Sequence, residues 1–120
     1  MVTHHPQLDP SNSLTSELRR GALVLVVLNE CRALQYGYSL KQSLADAGVE
    51  ISEGTLYPLL RRLEGQGLLE SEWQVVDDQR PRRYYKLSPA GANTLSELTS
   101  AWRDLVGTLD NLGIGKEQER

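Results

Sequence analysis

The 120-residue sequence predicts a mainly α-helical chain with one small β-hairpin, in the order helix, helix, helix, hairpin, helix. Four segments carry apolar residues at three- and four-residue spacings, which is the period of an amphipathic helix. Before the last of them, Leu68–Val76 and Arg82–Leu87 alternate apolar and polar residues on either side of the turn Asp77–Pro81. The pattern therefore predicts two antiparallel strands between the third and fourth helices.

The first helix is predicted from Leu14 to Cys31. Its run Ala22–Leu28 is rich in β-branched residues and would suit a strand by propensity alone. We favour a helix because the apolar pattern continues over about eighteen residues and because Ser11 or Ser13 can cap it. Apolar side chains on nearly every face indicate that this helix is covered from two sides.

The second helix is predicted over Tyr36–Ala47 and the third over Thr55–Gln66, with a glycine after each as the stop signal. With Thr55 as the N-cap, Pro58 falls at the third helical position, where an N–H would have no helical acceptor. The third helix carries one apolar stripe, formed by Leu56, Leu59, Leu60 and Leu63.

The last helix is predicted to begin at Ser88 as N-cap, with Pro89 at the first helical position. Large apolar residues follow at alternating spacings of three and four, which predicts a seam for packing against a second copy of the chain. The seam consists of Leu95, Leu98, Trp102, Leu105, Leu109 and Leu112. The predicted organisation is a polar tail (1–13), a helix and hairpin domain (14–87), a dimerisation helix (88–113) and a charged tail (114–120).

Several classes of protein do not fit the composition. The longest apolar run, Ala22–Leu28, is too short to cross a bilayer, and Met1–Pro10 does not resemble a secretory signal, so we expect a cytoplasmic protein. The lone Cys31 is expected to be a small buried hydrophobic residue, with a redox sensor as the alternative. His4 and His5 lie in the predicted tail, so we expect no metal site.

The sequence also lacks a nucleophile–base set, a metal-ligand cluster and a phosphate-binding loop. We therefore expect neither an enzyme nor a cofactor.

Two short helices followed by a hairpin form the pattern of a winged helix-turn-helix, in which the second of the two helices enters the DNA major groove. The net charge of −3 is no objection, because four basic side chains are concentrated between residues 80 and 86. The leucine stripe faces inward, so four polar side chains of the third helix are left for DNA: Thr55, Tyr57, Arg61 and Arg62. The hairpin, or wing, adds Arg80, Arg82 and Arg83.

The chain resembles the PadR family of bacterial transcriptional regulators, from about Arg19 to Leu112. Several motifs carry the resemblance together and in the family's order. They are Tyr36-Gly-Tyr38, Gly54-Thr-Leu-Tyr-Pro58, Arg62-Leu-Glu64, Gly67-Leu68, Arg82-Arg-Tyr-Tyr85 and Leu87-Ser-Pro-Ala-Gly91. The length resembles that of the short subfamily, in which a single C-terminal helix dimerises.

The resemblance implies a homodimer on an inverted-repeat operator in double-stranded DNA, with two recognition helices about one DNA turn apart. It also implies a repressor that leaves DNA when a small aromatic or hydrophobic effector binds. The family's DNA contacts carry over to the seven residues named above, with Arg61 and Arg62 as alternatives to each other. A winged-helix module that binds protein instead of DNA is the alternative, and the net negative charge of the chain favours this alternative.

Trp102 has two interpretations. In multidrug-sensing short members of the family, a tryptophan at a similar place stacks on flat aromatic ligands between the subunits. Packing in the dimer core is the simpler role, and the two roles are compatible. Elsewhere, Tyr36 and Tyr38 are expected to pack, and packing is the alternative role for Tyr57. Tyr84 and Tyr85 are expected to support the hairpin as cross-strand partners.

Overall fold

The computed structural model describes residues 10–75, 77–78 and 80–116. Over these residues the chain forms four helices and a three-stranded antiparallel sheet, which confirms the predicted fold class. The elements are α1 (Pro10–Glu30), β1 (Gln35–Tyr36), α2 (Gly37–Asp46), α3 (Glu53–Gly65), β2 (Leu69–Gln74), β3 (Arg82–Leu87) and α4 (Pro89–Asn111).

Helix α1 begins at Pro10, four residues before the predicted start. Proline suits a first helical turn, because its φ is already helical and its missing N–H has no acceptor there. Ser11 and Ser13 are therefore helical residues and not caps. His4 and His5, which were predicted to have no metal role, lie outside the described residues.

The sheet has the strand order β1-β3-β2, and β1 was not predicted. This strand is only two residues long, so it shows no alternation in sequence. Its residues pair with the return strand of the hairpin, Gln35 opposite Tyr85 and Tyr36 opposite Tyr84. The predicted hairpin is confirmed, with β2 and β3 paired along their whole length.

Helix α3 begins at Glu53 with Ser52 before it in extended conformation, so the predicted N-cap at Thr55 is wrong. The carbonyl of Ser52 already accepts hydrogen bonds from the N–H groups of Thr55 (3.1 Å) and Leu56 (2.9 Å), so the first helical turn forms three residues earlier than predicted. Pro58 is consequently the sixth helical residue. It cannot donate to the carbonyl of Gly54, but Gly54 is exposed, so water can satisfy that oxygen.

The core lies where α1, α2, α3 and the sheet meet, and the start of α4 closes it. Its fully buried members are mostly leucines of α2 and α3, together with Val27, Leu28 and Cys31 from the end of α1. Burial raises the pKa of the Cys31 thiol to about 12, so it stays protonated and unreactive near neutral pH. The prediction of a small buried hydrophobic residue is confirmed, and the redox alternative has no support.

The molecule is extended. Its Cα radius of gyration is 18.1 Å, whereas a compact chain of this length would have about 14 Å. Helix α1 packs against α4, and large apolar side chains of both helices and of the residue that follows α4 are exposed to solvent. These side chains are Leu14, Leu18, Trp102, Leu105, Val106 and Leu112.

Candidate nucleic-acid interface

Helix α3 packs tightly against α2 at Gly37, the first residue of α2. Gly37 is buried, and a Cβ built on it would overlap the ring and hydroxyl of Tyr57 in α3. Glycine is therefore required for this packing. Tyr57, predicted to contact DNA, is half-buried against α2, so its ring is a packing group. Sequence reasoning singled out the motif around Gly37 but not this contact.

A hydrogen-bond network fixes the beginning of α2. The N–H of Tyr36 donates to the Ser39 hydroxyl (3.0 Å), which lies 2.8 Å from Gln35 Oε1 as its acceptor. The Gln35 amide in turn donates to the carbonyl of Glu30 (3.1 Å), at the end of α1. Gln35 is 9% exposed, so this buried side chain joins two helices. Sequence reasoning missed both Gln35 and Ser39. The usual capping box has serine or threonine at the N-cap and glutamate or glutamine three residues later, whereas here the N-cap is Tyr36 and the third helical residue is Ser39.

The outer face of α3 carries Thr55, Arg61 and Arg62, and all three are exposed as predicted. The Thr55 hydroxyl accepts a hydrogen bond from the Ser52 hydroxyl (3.1 Å) at the helix start. Within the described part of the chain, Arg61 and Arg62 form no hydrogen bond or ion pair. Their guanidinium groups are therefore available to an external anion.

Arg83 of the wing differs from Arg61 and Arg62, because its guanidinium group already has hydrogen-bond partners within the chain. Its Nη2 donates to Glu64 Oε1 (3.2 Å) and Oε2 (3.1 Å), and its Nε donates to the hydroxyl of Ser71 (3.1 Å). Ser71 in turn donates to Glu64. These partners, first the Ser71 hydroxyl and then the Arg83 guanidinium, hold the pKa of the Glu64 carboxyl below its usual range. The Arg62-Leu-Glu64 and Arg82-Arg-Tyr-Tyr85 motifs therefore meet in space.

Arg82 lies on the opposite face of β3. Its guanidinium carbon is 4.4 Å from the centre of the Tyr36 ring, which also contacts Tyr84 (5.3 Å between ring centres). The predicted packing of Tyr36 and the cross-strand role of Tyr84 are confirmed. Tyr38 is 63% exposed, although its ring stacks on Tyr36 with 6.4 Å between centres.

The tip of the wing contains Asp77 and Asp78, both in the left-handed region with φ of 53° and 60°. Aspartate tolerates this conformation better than most residues, which suits it to a tight turn. Arg80 follows the turn and is exposed. Of the three predicted wing arginines, Arg80 is thus the one at the tip.

The Gly67-Leu68 and Ser88-Pro-Ala-Gly91 motifs join α3, the sheet and α4. Ser88 caps α4 by accepting from the N–H of Gly91 (2.9 Å), as predicted, and its hydroxyl also donates to the carbonyl of Gly67 (2.6 Å). The N–H of Ser88 donates to the carbonyl of Leu68 (3.1 Å). A Cβ on Gly91 would overlap that same carbonyl oxygen. Glycine therefore lets the first turn of α4 lie against the loop after α3.

The predicted dimerisation seam divides into two parts. Leu95 is 2% exposed and belongs to the core of its own chain, because the first turns of α4 pack on the domain. Leu98 and Leu109 are half-buried, whereas Trp102, Leu105 and Leu112 are 44%, 48% and 70% exposed. Leu14 and Leu18 of α1 are also exposed apolar side chains, and the seam prediction did not include them.

A shallow cleft of about 190 Å³ lies between α1 and α4. Gly21, Ala22 and Leu25 line it from α1, and Leu98, Ala101, Trp102 and Leu105 line it from α4. Trp102 thus stands at the wall of an apolar cleft on an exposed face. Across the described residues, no helix is long and apolar enough to cross a membrane.

Two packed helices with a short turn, followed by a hairpin against the second of them, define a winged helix-turn-helix protein. This chain belongs to the transcriptional regulator PadR-like family, whose model matches residues 24–97. The family consists of transcriptional regulators, not enzymes, and the predicted family and class of protein are confirmed.

Individual relatives of this chain are also transcriptional regulators of this kind. Transcriptional regulator Rv3488 of Mycobacterium tuberculosis is 43% identical over 91 residues, which cover 75% of this chain and 84% of that protein. A crystal structure of a PadR family regulator from Eggerthella lenta matches with a TM-score of 0.79 and 46% identity, over 87% of this chain and 92% of the other. A PadR-like regulator from Bacillus cereus matches with a TM-score of 0.74 and 29% identity, over 83% and 99% of the two chains.

Proposed function

We propose that this regulator is a homodimeric repressor that binds an inverted-repeat operator in double-stranded DNA. The observation that carries the proposal is the outer face of α3, where Arg61 and Arg62 are exposed and unpaired within the described residues. Exposed arginines on the second helix of a helix-turn-helix are suited to guanine edges and phosphates.

The proposed contacts fall into two groups. In the major groove, Thr55 and Arg61 or Arg62 reach bases or nearby phosphates. Tyr57 was predicted with them, but its ring and hydroxyl lie against Gly37, so we assign it to the packing of α3 on α2. Arg80 and Arg82 of the wing contact the DNA backbone or the adjacent minor groove. Arg83 belongs to the same predicted set, but its hydrogen bonds to Glu64 and Ser71 favour a role in positioning the wing.

The exposed apolar faces of α1 and α4 support the proposed dimer. Leu14 and Leu18 are 61% and 76% exposed, and Leu112 is 70% exposed. Covering a leucine side chain completely contributes about 1.5–3 kcal/mol, so these faces together would stabilise a dimer substantially. A dimer also presents two α3 helices, as an inverted repeat requires.

Trp102 supports the proposed effector site. Its cleft of about 190 Å³ is smaller than the sites of roughly 300–1,000 Å³ that hold drug-sized ligands. A second copy that brings its own Trp102 to the same face would complete an aromatic slot for a planar molecule. In the absence of such a molecule, the same side chains pack in the dimer core.

Selection from a pool of random duplexes tests the proposed function. We expect enrichment of an inverted repeat with half-sites separated by about 10 base pairs or a multiple of that distance. Affinity for the selected duplex should fall steeply with salt, by roughly 10³- to 10⁵-fold between 50 and 200 mM if the dimer neutralises six to ten phosphates. Failure to enrich any duplex at low salt would contradict the proposal and favour a protein-binding module.

A further inference from the structure

Three polar side chains join the wing to α3, and the proposed DNA contacts do not explain them. We call this cluster the wing tie: Glu64 of α3, Ser71 of β2 and Arg83 of β3. We propose that Glu64 is a positioning residue for DNA binding, which acts through Arg83 and Ser71 to set where the wing lies relative to α3. This inference rests on the proposed function, in which α3 and the wing bind the same operator.

The geometry of the tie is that of a firm contact. Arg83 uses Nη2 on both carboxylate oxygens of Glu64 and Nε on Ser71, and Ser71 also donates to Glu64. Each of the three side chains therefore bonds to the other two. The Glu64 side chain is 28% exposed and that of Arg83 is 41% exposed, so water partly screens the ion pair, and the hydrogen bonds among the three side chains define its geometry. Charge-assisted hydrogen bonds of this kind are stronger than neutral ones.

The tie lies where the wing leaves the core. Leu69 and Tyr85, at the base of the hairpin, are buried, whereas Trp73 and Val75 farther out are each 63% exposed. Ser71 lies opposite the buried Tyr85, whereas Arg83 lies opposite the exposed Trp73. Through Arg83, the tie therefore extends the hold of α3 on the wing beyond the buried base. The arginine next to Arg83 holds the other face of the strand, because the Arg82 guanidinium lies over Tyr36.

The tie also limits how Arg83 can bind DNA. A guanidinium that already bonds to a carboxylate and a hydroxyl has fewer N–H groups for a phosphate. If α3 reads the major groove while the wing lies along the adjacent backbone, their relative position decides whether both can bind at once. Arg83 therefore contributes to DNA binding chiefly by holding the wing in place.

A purely electrostatic role and a positioning role for Glu64 predict opposite changes in DNA affinity when Glu64 loses its charge. By electrostatics alone, Glu64→Gln removes a negative charge near DNA and releases Arg83, so affinity should rise. If Glu64 positions the wing, affinity should fall despite the more favourable charge. Glu70→Gln is the matched control, because Glu70 has the same charge, lies in the neighbouring strand β2 and is exposed.

The experiment measures the affinity of the full chain by fluorescence anisotropy for a duplex that the wild type selects from a random pool. We expect Glu64→Gln to bind roughly threefold to tenfold more weakly than Glu70→Gln, with an unchanged salt slope. Ser71→Ala, which leaves every charge in place, should also weaken binding. Equal or tighter binding by Glu64→Gln, or a salt slope steeper by about one per subunit, would overturn the inference.

Two further measurements separate positioning from general destabilisation. In a background that carries both Ser71→Ala and Arg83→Ala, Glu64 has no hydrogen-bond partner left in the wing, so adding Glu64→Gln should tighten binding as Glu70→Gln does. Additional weakening in that background would overturn the positioning role. If the wild type selects no duplex, the proposed function fails. Hydrogen exchange of the free protein then tests whether the tie holds the wing against α3. Faster exchange in β2 and β3 for Glu64→Gln than for Glu70→Gln supports it, and equal rates exclude it.

Discussion

At the scale of single residues, Gly37 allows α2 to pack closely on α3, and Gly91 allows α4 to pack closely on the loop after α3. The two contacts differ in kind. The ring of Tyr57, which covers Gly37, belongs to a side chain that can rotate, whereas the carbonyl of Leu68, which covers Gly91, is main chain. The second contact is therefore the less tolerant of an added methyl group.

We predict that Gly91→Ala lowers the free energy of unfolding by about 1–3 kcal/mol, because the added Cβ overlaps a backbone oxygen. Gly65→Ala is the control. Gly65 is also helical, and a Cβ there meets nothing within 4 Å, so this variant should be neutral or slightly more stable. Urea unfolding followed by circular dichroism measures both. Equal stability of the two variants would mean that the loop after α3 yields to the methyl group.

We also predict that the pKa of the Glu64 carboxyl lies below its ordinary value, because Ser71 and Arg83 donate hydrogen bonds to it, and that Ser71→Ala and Arg83→Ala each raise this pKa. Because the folded-state pKa is lowered, the stability that Glu64 contributes is present above the unfolded-state pKa. It is lost as the pH falls through the folded-state pKa. Carbon-13 NMR of labelled glutamate measures the folded-state pKa. A pKa that neither variant moves would show that the tie does not persist in solution.

At the scale of elements, the helices and the hairpin were predictable because their periodic patterns are long. The leucines of α3 and the alternation in β2 and β3 each involve several residues in series. By contrast, β1 has two residues and shows no pattern. The tie between Glu64 and Arg83 joins positions 19 residues apart. Their pairing depends on how a helix end lies against a strand, so the charge of Arg83 alone suggested a DNA contact.

The position of Arg80 at the tip of the wing leads to another prediction. If Arg80 contacts a phosphate, Arg80→Ala should weaken binding to all DNA sequences to a similar extent. It should also reduce the slope of log affinity against log salt by about 0.9 per subunit. Lys116→Ala is the control, because Lys116 lies beyond the C-terminal end of α4. An unchanged slope would remove the tip of the wing from the proposed interface.

At the scale of the whole molecule, the extended shape and the exposed apolar faces belong together. Leu95 illustrates the limit of a heptad pattern, since it repeats in step with Leu98 and Trp102 but packs in its own chain. A pattern of spacings identifies the buried face of a helix, but it does not say whether the same chain or a second copy covers that face.

We predict that Leu105→Asp yields monomers, because the aspartate would place a charge on the face proposed to be covered by a second copy. Ser100→Asp adds the same charge to an exposed residue of α4 outside the seam and should leave the dimer intact. Sedimentation velocity distinguishes the two states. A dimeric Leu105→Asp protein would place the proposed interface elsewhere.

The effector proposal predicts that planar aromatic compounds quench Trp102. Fluorescence is measured in a Trp73→Phe variant, so that Trp102 is the only tryptophan. A Trp102→Phe variant that keeps Trp73 is the control and should respond less. Equal quenching of the two variants would indicate contact with exposed indoles in general, and no quenching by a broad panel would favour a packing role for Trp102.

The buried thiol described above has a practical consequence. Cys31 is the only cysteine of the chain, is 0% exposed and has a pKa of about 12. Thiol reagents act on the thiolate, so the folded protein should be almost inert to maleimides near neutral pH. A cysteine introduced at the wing tip or at the end of α4 would then be the single labelled position in each subunit. Spin labels or dyes at these positions would report distances between subunits in an otherwise unaltered core.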